Sequence, residues 1–246
     1  MIKFEHTVIA DSDQMNFIIE GMRNPMNSWD KSDSADCLRL DIDCHECKYV
    51  DKCPMDYSGA SFIIGENDES LMKRLSKAGT DHRKFMRQMP VYVRITAPLY
   101  WWKEFDTYKV GTVSNSCSTM HKIQEKEFTL DDFSHEHLVD EEFGVNTLRC
   151  TSSIDILGVI VDALNFYREL YNMCPPELSV EKKDYWWQMI QLLPSSYNQT
   201  RNVSMNYEVL ANIYKSRKAH KLDEWREFCK WIETLPYSWL ITGKED

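Results

Sequence analysis

The chain has 246 residues, with 29 Lys and Arg against 39 Asp and Glu, giving a formal charge of −10. Hydrophobic residues make up 43% and aromatics 12%, enough to build a core, which excludes a disordered or fibrous chain. The acidic balance argues against a partner made of nucleic-acid polymer, which needs clustered Lys and Arg, and leaves room only for a local basic pocket holding one nucleotide.

The N-terminus, Met1-Ile2-Lys3-Phe4-Glu5-His6, has neither the apolar run nor the small-residue cleavage site of a secretory signal. The most apolar stretch, 154–161, contains Asp155 and stops at Asp162, too short to span a membrane. A cytoplasmic protein without membrane contact is expected, in which the 8 cysteines serve as thiols or metal ligands rather than disulfides. Residues 1–30 mix Phe17-Ile18-Ile19 with the turn formers Asn24-Pro25 and Asn27-Ser28. Residues 31–60 are charged, small and cysteine-rich, and read as an insertion in a single domain spanning 1–246.

From Glu66 the pattern turns helical, with Asn67 or Asp68 as cap, Leu71, Leu75 and Ala78 on one face, and Gly79 as the stop. Residues 91–97 alternate β-branched side chains and predict a strand ending at Pro98, after which 99–105 reads as a short buried helix. Residues 124–152 are acidic and predict a surface excursion with short helical pieces. Residues 154–173 predict a helix with Leu157, Ile160, Val161, Leu164 and Tyr167 inward, stopped by Pro175-Pro176. Two more helices are expected over 206–218 and 222–235, the second with Trp225, Phe228 and Trp231 at helical spacing. The pairs Trp101-Trp102 and Trp186-Trp187 read as core and interface anchors.

Cys37, Cys44, Cys47 and Cys53 fall within seventeen residues. Cys44-His45-Glu46-Cys47 has the spacing that lets two thiolates reach one ion from a tight turn, so the four predict a structural metal, with zinc the default and an iron–sulfur cluster the alternative. Free thiols packed in a loop are the competing reading.

The strand-and-helix passage Ala97-Pro98-Leu99-Tyr100-Trp101-Trp102-Lys103-Glu104-Phe105, together with residues 106–120, resembles the flavin-dependent thymidylate synthases. Their signature, Arg-His-Arg-x-x-Ser-x-Asn-Glu-x-Ser-x-Arg, falls without gaps on Thr107-Tyr108-Lys109, Thr112, Ser114-Asn115, Cys117 and Thr119. Upstream, His82 lies where the family carries a flavin-proximal histidine. Downstream, Leu193-Pro194 resembles the family's Leu-Pro motif, and counting on places Asn206 and Asn212 at its flavin-proximal asparagines, Arg217 at its substrate-activating arginine, and His220 within a residue of a family histidine.

The resemblance implies an α+β fold, a mixed or antiparallel sheet flanked by helices, assembled as a homotetramer with active sites built between subunits. It implies FAD-dependent methylation of dUMP to dTMP, with methylenetetrahydrofolate and NADPH as co-substrates. By the same correspondence Arg217 is the catalytic residue, and His82, Thr107, Tyr108, Lys109, Asn206, Asn212 and His220 bind the cofactor. Glu104, Asn115, Ser116, Cys117, Ser118, Thr119 and Arg217 bind the pyrimidine nucleotide. The residues alone leave blander readings open: surface asparagines, a solvated charge run Lys215-Ser216-Arg217-Lys218, and a polar loop with an incidental cysteine. The family's signature arginines stand here as Thr107, Lys109 and Thr119, and its arginine before Leu-Pro as Ile190. Those losses open two alternatives: modification of another pyrimidine nucleotide, or a catalytically silent homologue kept as a binding or assembly module. In the shared reading Arg217 and the two amides meet the loop around Cys117.

Overall fold

A computed structural model describes residues 2–36, 62–141 and 152–244. In chain order the elements are β1 (Lys3–Ile9), α1 (Ser12–Arg23), β2 (Ala35–Asp36), β3 (Phe62–Ile63), α2 (Glu66–Lys77), α3 (Phe85–Gln88), β4 (Pro90–Pro98) and α4 (Leu99–Phe105). They continue with β5 (Val113–Ser116), α5 (Thr119–Lys122), α6 (Ser153–Met173), α7 (Ser179–Leu192), β6 (Asn198–Asn206), α8 (Tyr207–Arg217), α9 (Asp223–Glu233) and α10 (Trp239–Thr242). The main sheet is antiparallel with strand order β1-β4-β6-β5, and β2 pairs antiparallel with β3. The architecture is therefore α+β, an antiparallel sheet flanked by helices, as expected from the sequence. No helix among the described residues is long and apolar enough to cross a membrane.

Packing divides the chain into two compact units. The first comprises residues 1–3, 94–107 and 115–202. Its core is built by Leu157, Val161 and Leu164 of α6 and Met189 of α7 against Ile123, Phe128 and Phe133. Ile160 and Tyr167 join this cluster from its edge, so the inward face predicted for the helix is the observed one. Ser152 caps α6 by accepting from the Asp155 amide at 3.2 Å while Asp155 reaches back to the Ser152 amide, a reciprocal pair that fixes the helix start. In α4, Trp101, Trp102 and Phe105 are buried, with the two indoles edge to face at 4.9 Å. Trp186 donates its indole N–H to the Met120 carbonyl at 2.8 Å, whereas Trp187 is exposed.

The second unit comprises residues 4–93, 108–114 and 203–246. Helices α1, α3 and α8 pack in series, and α10 lies on α8, α2 and α9. Trp225, Phe228 and Ile232 of α9 are fully buried, each contributing about 1.5–3 kcal/mol by removal of apolar surface from water. Trp231 instead sits at the edge, stacked on Phe4 at 5.0 Å. Neither Asn67 nor Asp68 caps α2; the N-cap is Gly65, and the capping oxygens come from Asp33, which accepts from the amides of Asn67 at 3.0 Å and Asp68 at 3.2 Å. A Cβ on Gly65 would lie 2.2 Å from the Asp33 carboxyl, so only glycine lets that side chain in. Asp68 is buried and accepts from Arg23 Nε at 2.6 Å, from the hydroxyls of Ser32 and Ser34 at 2.7 Å each, and from the amides of Asp33 and Ser34. Burial alone would raise its pKa, but these donors outweigh it and hold the carboxyl below its ordinary value.

Candidate functional site

The expected site residues divide between the two units. In the second unit the organiser is α8. Asn206 ends β6 and caps the helix, its Oδ1 accepting from the Val209 amide at 3.0 Å. Val209, Leu210, Ile213 and Tyr214 are buried, which fixes the rotation of α8 and leaves Arg217 half-buried in its last turn, where the helix dipole favours a cation. Arg217 Nε donates to the Tyr108 hydroxyl at 2.9 Å. Its guanidinium carbon stands 4.6 Å from the buried Trp225 ring and 5.7 Å from the Tyr108 ring. A guanidinium over an aromatic face, tethered by one nitrogen, holds its direction with little reorganisation. His220 is edge-on to Trp225 at 6.3 Å, and its Nδ1 accepts from the Leu222 amide at 3.2 Å, which puts the proton of the neutral ring on Nε2.

The asparagines have separate tasks. Asn206 keeps its Nδ2 without a hydrogen bond among the described residues, beside Gly111, whose φ of +77° and 3.0 Å approach to that nitrogen by a notional Cβ both call for glycine. Asn212 is exposed, and its Oδ1 accepts from Arg83 Nη2 at 3.2 Å. Arg83 in turn donates Nε to the buried Glu208 at 3.1 Å, and Arg87 reaches both Glu208 oxygens. Burial pushes Glu208 up, but the two arginines outweigh it and hold the carboxyl below its ordinary value. His82 is exposed in the turn that precedes Arg83, its amide donating to the Gly79 carbonyl at 3.2 Å. Sequence reading named His82 and missed Arg83, Arg87 and Glu208; the available signal was two arginines four apart beside Phe85, Met86 and Met89.

In the first unit, Glu104 is half-buried near the end of α4, and Thr107 closes that helix by donating its hydroxyl to the Glu104 carbonyl at 2.7 Å. Asn115 and Ser116 are exposed on β5, and Cys117 is an exposed free thiol whose amide donates to the Thr200 carbonyl at 3.0 Å. Ser118 accepts from the His121 amide at 3.3 Å, while Thr119 Oγ1 accepts from Gln199 Nε2 at 2.9 Å. A cavity of about 60 Å³ is lined by Cys117, Ser118, Thr119, Lys122, Lys126 and Tyr197, among others. Burial, followed by the charges of Asp132 and Cys117, pushes the Tyr197 hydroxyl up, so it stays protonated as a donor at neutral pH. Gln199 and Arg201 of β6 went unread in the sequence because a strand of Asn, Gln, Thr and Ser carries no apolar alternation.

Of groups able to hold a flavin, the second unit offers the unoccupied Asn206 amide donor, the exposed Lys109 and the Tyr108–Arg217 pair. Those donors suit the carbonyl edge and phosphates of such a cofactor. Cys37, Cys44, Cys47 and Cys53 lie outside the described residues, and among the described residues no group of three metal-ligating side chains occurs.

No protein-family model and no curated protein matches the sequence. The fold, however, is that of the flavin-dependent thymidylate synthases and a related nucleotide methylase. The flavin-dependent thymidylate synthase ThyX of Helicobacter pylori, complexed with FAD and dUMP, is similar at TM-score 0.58 and 15% identity, covering 98% of both chains. A second structure of that enzyme with FAD and dUMP gives TM-score 0.59 and 15% identity over 99% of this chain and 98% of that one. The UMP/dUMP methylase PolB of Streptomyces cacaoi, bound with 5-Br dUMP, gives 0.55 and 12% over 99% and 95%.

Proposed function

We propose that the chain is a cytoplasmic flavin-dependent methyltransferase that converts dUMP to dTMP, drawing the carbon from methylenetetrahydrofolate and reducing equivalents from NADPH. The observation that carries this reading is the likeness in fold, aligned over 98–99% of this chain and 98% of the other, to enzymes solved with FAD and dUMP. The Arg217 arrangement supports it chemically. A guanidinium fixed by Tyr108 and Trp225 beside a uracil ring stabilises negative charge developing on that ring without having to move. Asn206 offers an amide donor, and Asn212, steadied by Arg83, an amide edge, for a flavin ring; bound flavin would supply the hydride. By the family correspondence Glu104, Asn115, Ser116, Cys117, Ser118 and Thr119 serve the nucleotide, and His82, Thr107, Tyr108, Lys109 and His220 serve the cofactor. In this reading four thiolates at 37–53 hold a structural zinc ion.

A homo-oligomer, with active sites drawing on more than one subunit, is part of the proposal. Its support is the outer side of α6, where Val159, Phe166 and Met173 repeat every seven residues and are 52%, 56% and 79% exposed, with Ile156 one turn before. A tetramer is the assembly we infer. A second reading, modification of another pyrimidine nucleotide, is favoured by the substituted signature positions Thr107, Lys109 and Thr119 and by the likeness to a UMP/dUMP methylase.

The test is absorbance of the purified protein. The proposal expects a flavin spectrum, as isolated or after addition of FAD, whose bands shift when dUMP is added. A colourless protein that takes up no FAD contradicts it.

A further inference from the structure

We propose that Arg201 and Gln199 are positioning residues that turn the Thr119 hydroxyl into a hydrogen-bond donor for an acceptor oxygen of the bound nucleotide, an inference that rests on the pyrimidine-nucleotide reading above. Donors and acceptors along the chain of contacts fix its direction. Arginine carries N–H donors only. Arg201 Nε lies 2.8 Å from Gln199 Oε1, its Nη1 lies 2.7 Å from Asp106 Oδ1, and its guanidinium carbon stands 4.3 Å from the Trp102 ring centre. Gln199 therefore turns its carbonyl oxygen to Arg201 and its NH₂ the other way. That NH₂ meets Thr119 Oγ1 at 2.9 Å and the Cys117 carbonyl, an acceptor only, at 3.5 Å, so both ends agree on the orientation of the amide.

Thr119 Oγ1 accepts from Gln199, and its own proton has no acceptor among the described residues. Thr119 also lines the cavity that Lys122 and Lys126 border. The Gln199 residue is 8% exposed and the Arg201 side chain 14%, so the chain of dipoles runs where water screens it little. Glu127 and Asp132 line the same cavity, Asp132 pairing with Lys126 at 2.6 Å, so the formal charges of the lining cancel and hydrogen-bond direction, not net charge, selects the ligand atom. At about 60 Å³ the cavity is well below the roughly 300–1,000 Å³ of a whole-ligand site, and it takes one group of a ligand: a phosphate oxygen or a ring carbonyl.

A double-mutant cycle on dUMP binding tests this. Thr119→Val is expected to weaken dUMP about tenfold, the scale of one hydrogen bond to a charged group, and Thr119→Ser to restore it. Gln199→Glu keeps an acceptor for Arg201 but presents only an acceptor to Thr119, so the hydroxyl donates inward; a similar loss is expected, with the fold kept as judged by circular dichroism. In the Thr119→Val background Gln199→Glu should then cost little more, because the hydroxyl it acts through is gone. Losses that add, or a Thr119→Val variant that binds dUMP like the parent, overturn the inference while leaving the nucleotide reading intact. Coupling that persists with deoxyuridine assigns the oxygen to the ring, and coupling lost with it assigns the phosphate; both support the inference. AMP binding as tightly as dUMP with the coupling intact would sink the pyrimidine reading and keep the hydroxyl's role. Parent protein that binds no dUMP overturns both.

Discussion

Glu208→Gln is the substitution whose consequences can be followed furthest. The Glu208 side chain is 9% exposed, and the carboxylate accepts from Arg83 at 3.1 Å and from Arg87 through both oxygens. A glutamine keeps one acceptor and turns an NH₂ toward the other guanidinium. Breaking a fully buried pair costs about 3–5 kcal/mol. Arg83 is 20% exposed and can rehydrate, so a discounted loss of roughly 1–2 kcal/mol is expected. For a chain of this length that lowers the thermal midpoint by about 2–8 °C. The pH dependence has a definite sign. The folded pKa of Glu208 lies below its ordinary 4.5, so its contribution is complete above 4.5 and fades as pH falls through the folded value. Thermal unfolding followed by circular dichroism from pH 7 to pH 4 should show a constant gap between parent and variant at neutral pH that closes below about pH 4.5. An unchanged midpoint at neutral pH, or a gap that widens on acidification, would refute the reasoning. Arg83 also steadies Asn212, so the variant should bind FAD more weakly, read by quenching of flavin fluorescence.

Other consequences are as direct. Arg217→Ala should lower kcat at least a hundredfold, the scale of removing one donor from a developing anion, with a smaller change in KM for dUMP; a raised KM with kcat unchanged would point to simple binding. Iodoacetamide should modify the exposed Cys117 quickly at pH 8 and Cys229 hardly at all, since burial pushes the Cys229 thiol up to about 11; peptide mapping reads both, and equal rates would contradict the packing of α9. Phe166→Glu on the exposed side of α6 should shift sedimentation to a smaller species, and no shift would remove that face from the assembly.

Much of the fold was legible because single elements announce themselves locally. The alternation of Val91, Val93 and Ile95, all buried, marks β4, and the apolar faces of α6 and α9 repeat at helical spacing. Helix α7 did not announce itself, because Tyr185, Trp186, Trp187, Met189 and Ile190 spread apolar surface around it rather than along one side. Strand β6 holds an interior place in the sheet with mostly polar letters, and only its pairing makes Val203 and Met205 core. Arg217 and Asn206 enter the candidate site through the register of the motif the sequence resembles, not through local spacing. Partnerships over more than a hundred residues, such as Arg83 with Glu208 or Arg217 with Tyr108, leave no trace in local spacing. Asn212 shows the same limit: its position was readable, whereas the arginine that orients it was not.

The most direct measurement is product analysis. Purified protein is incubated with dUMP, methylenetetrahydrofolate, NADPH and FAD, and the nucleotide pool is resolved by mass spectrometry. A thymidylate product that vanishes when either the folate or the flavin is withheld is the predicted result. Unaltered dUMP under conditions where the protein is folded and loaded with flavin would contradict it.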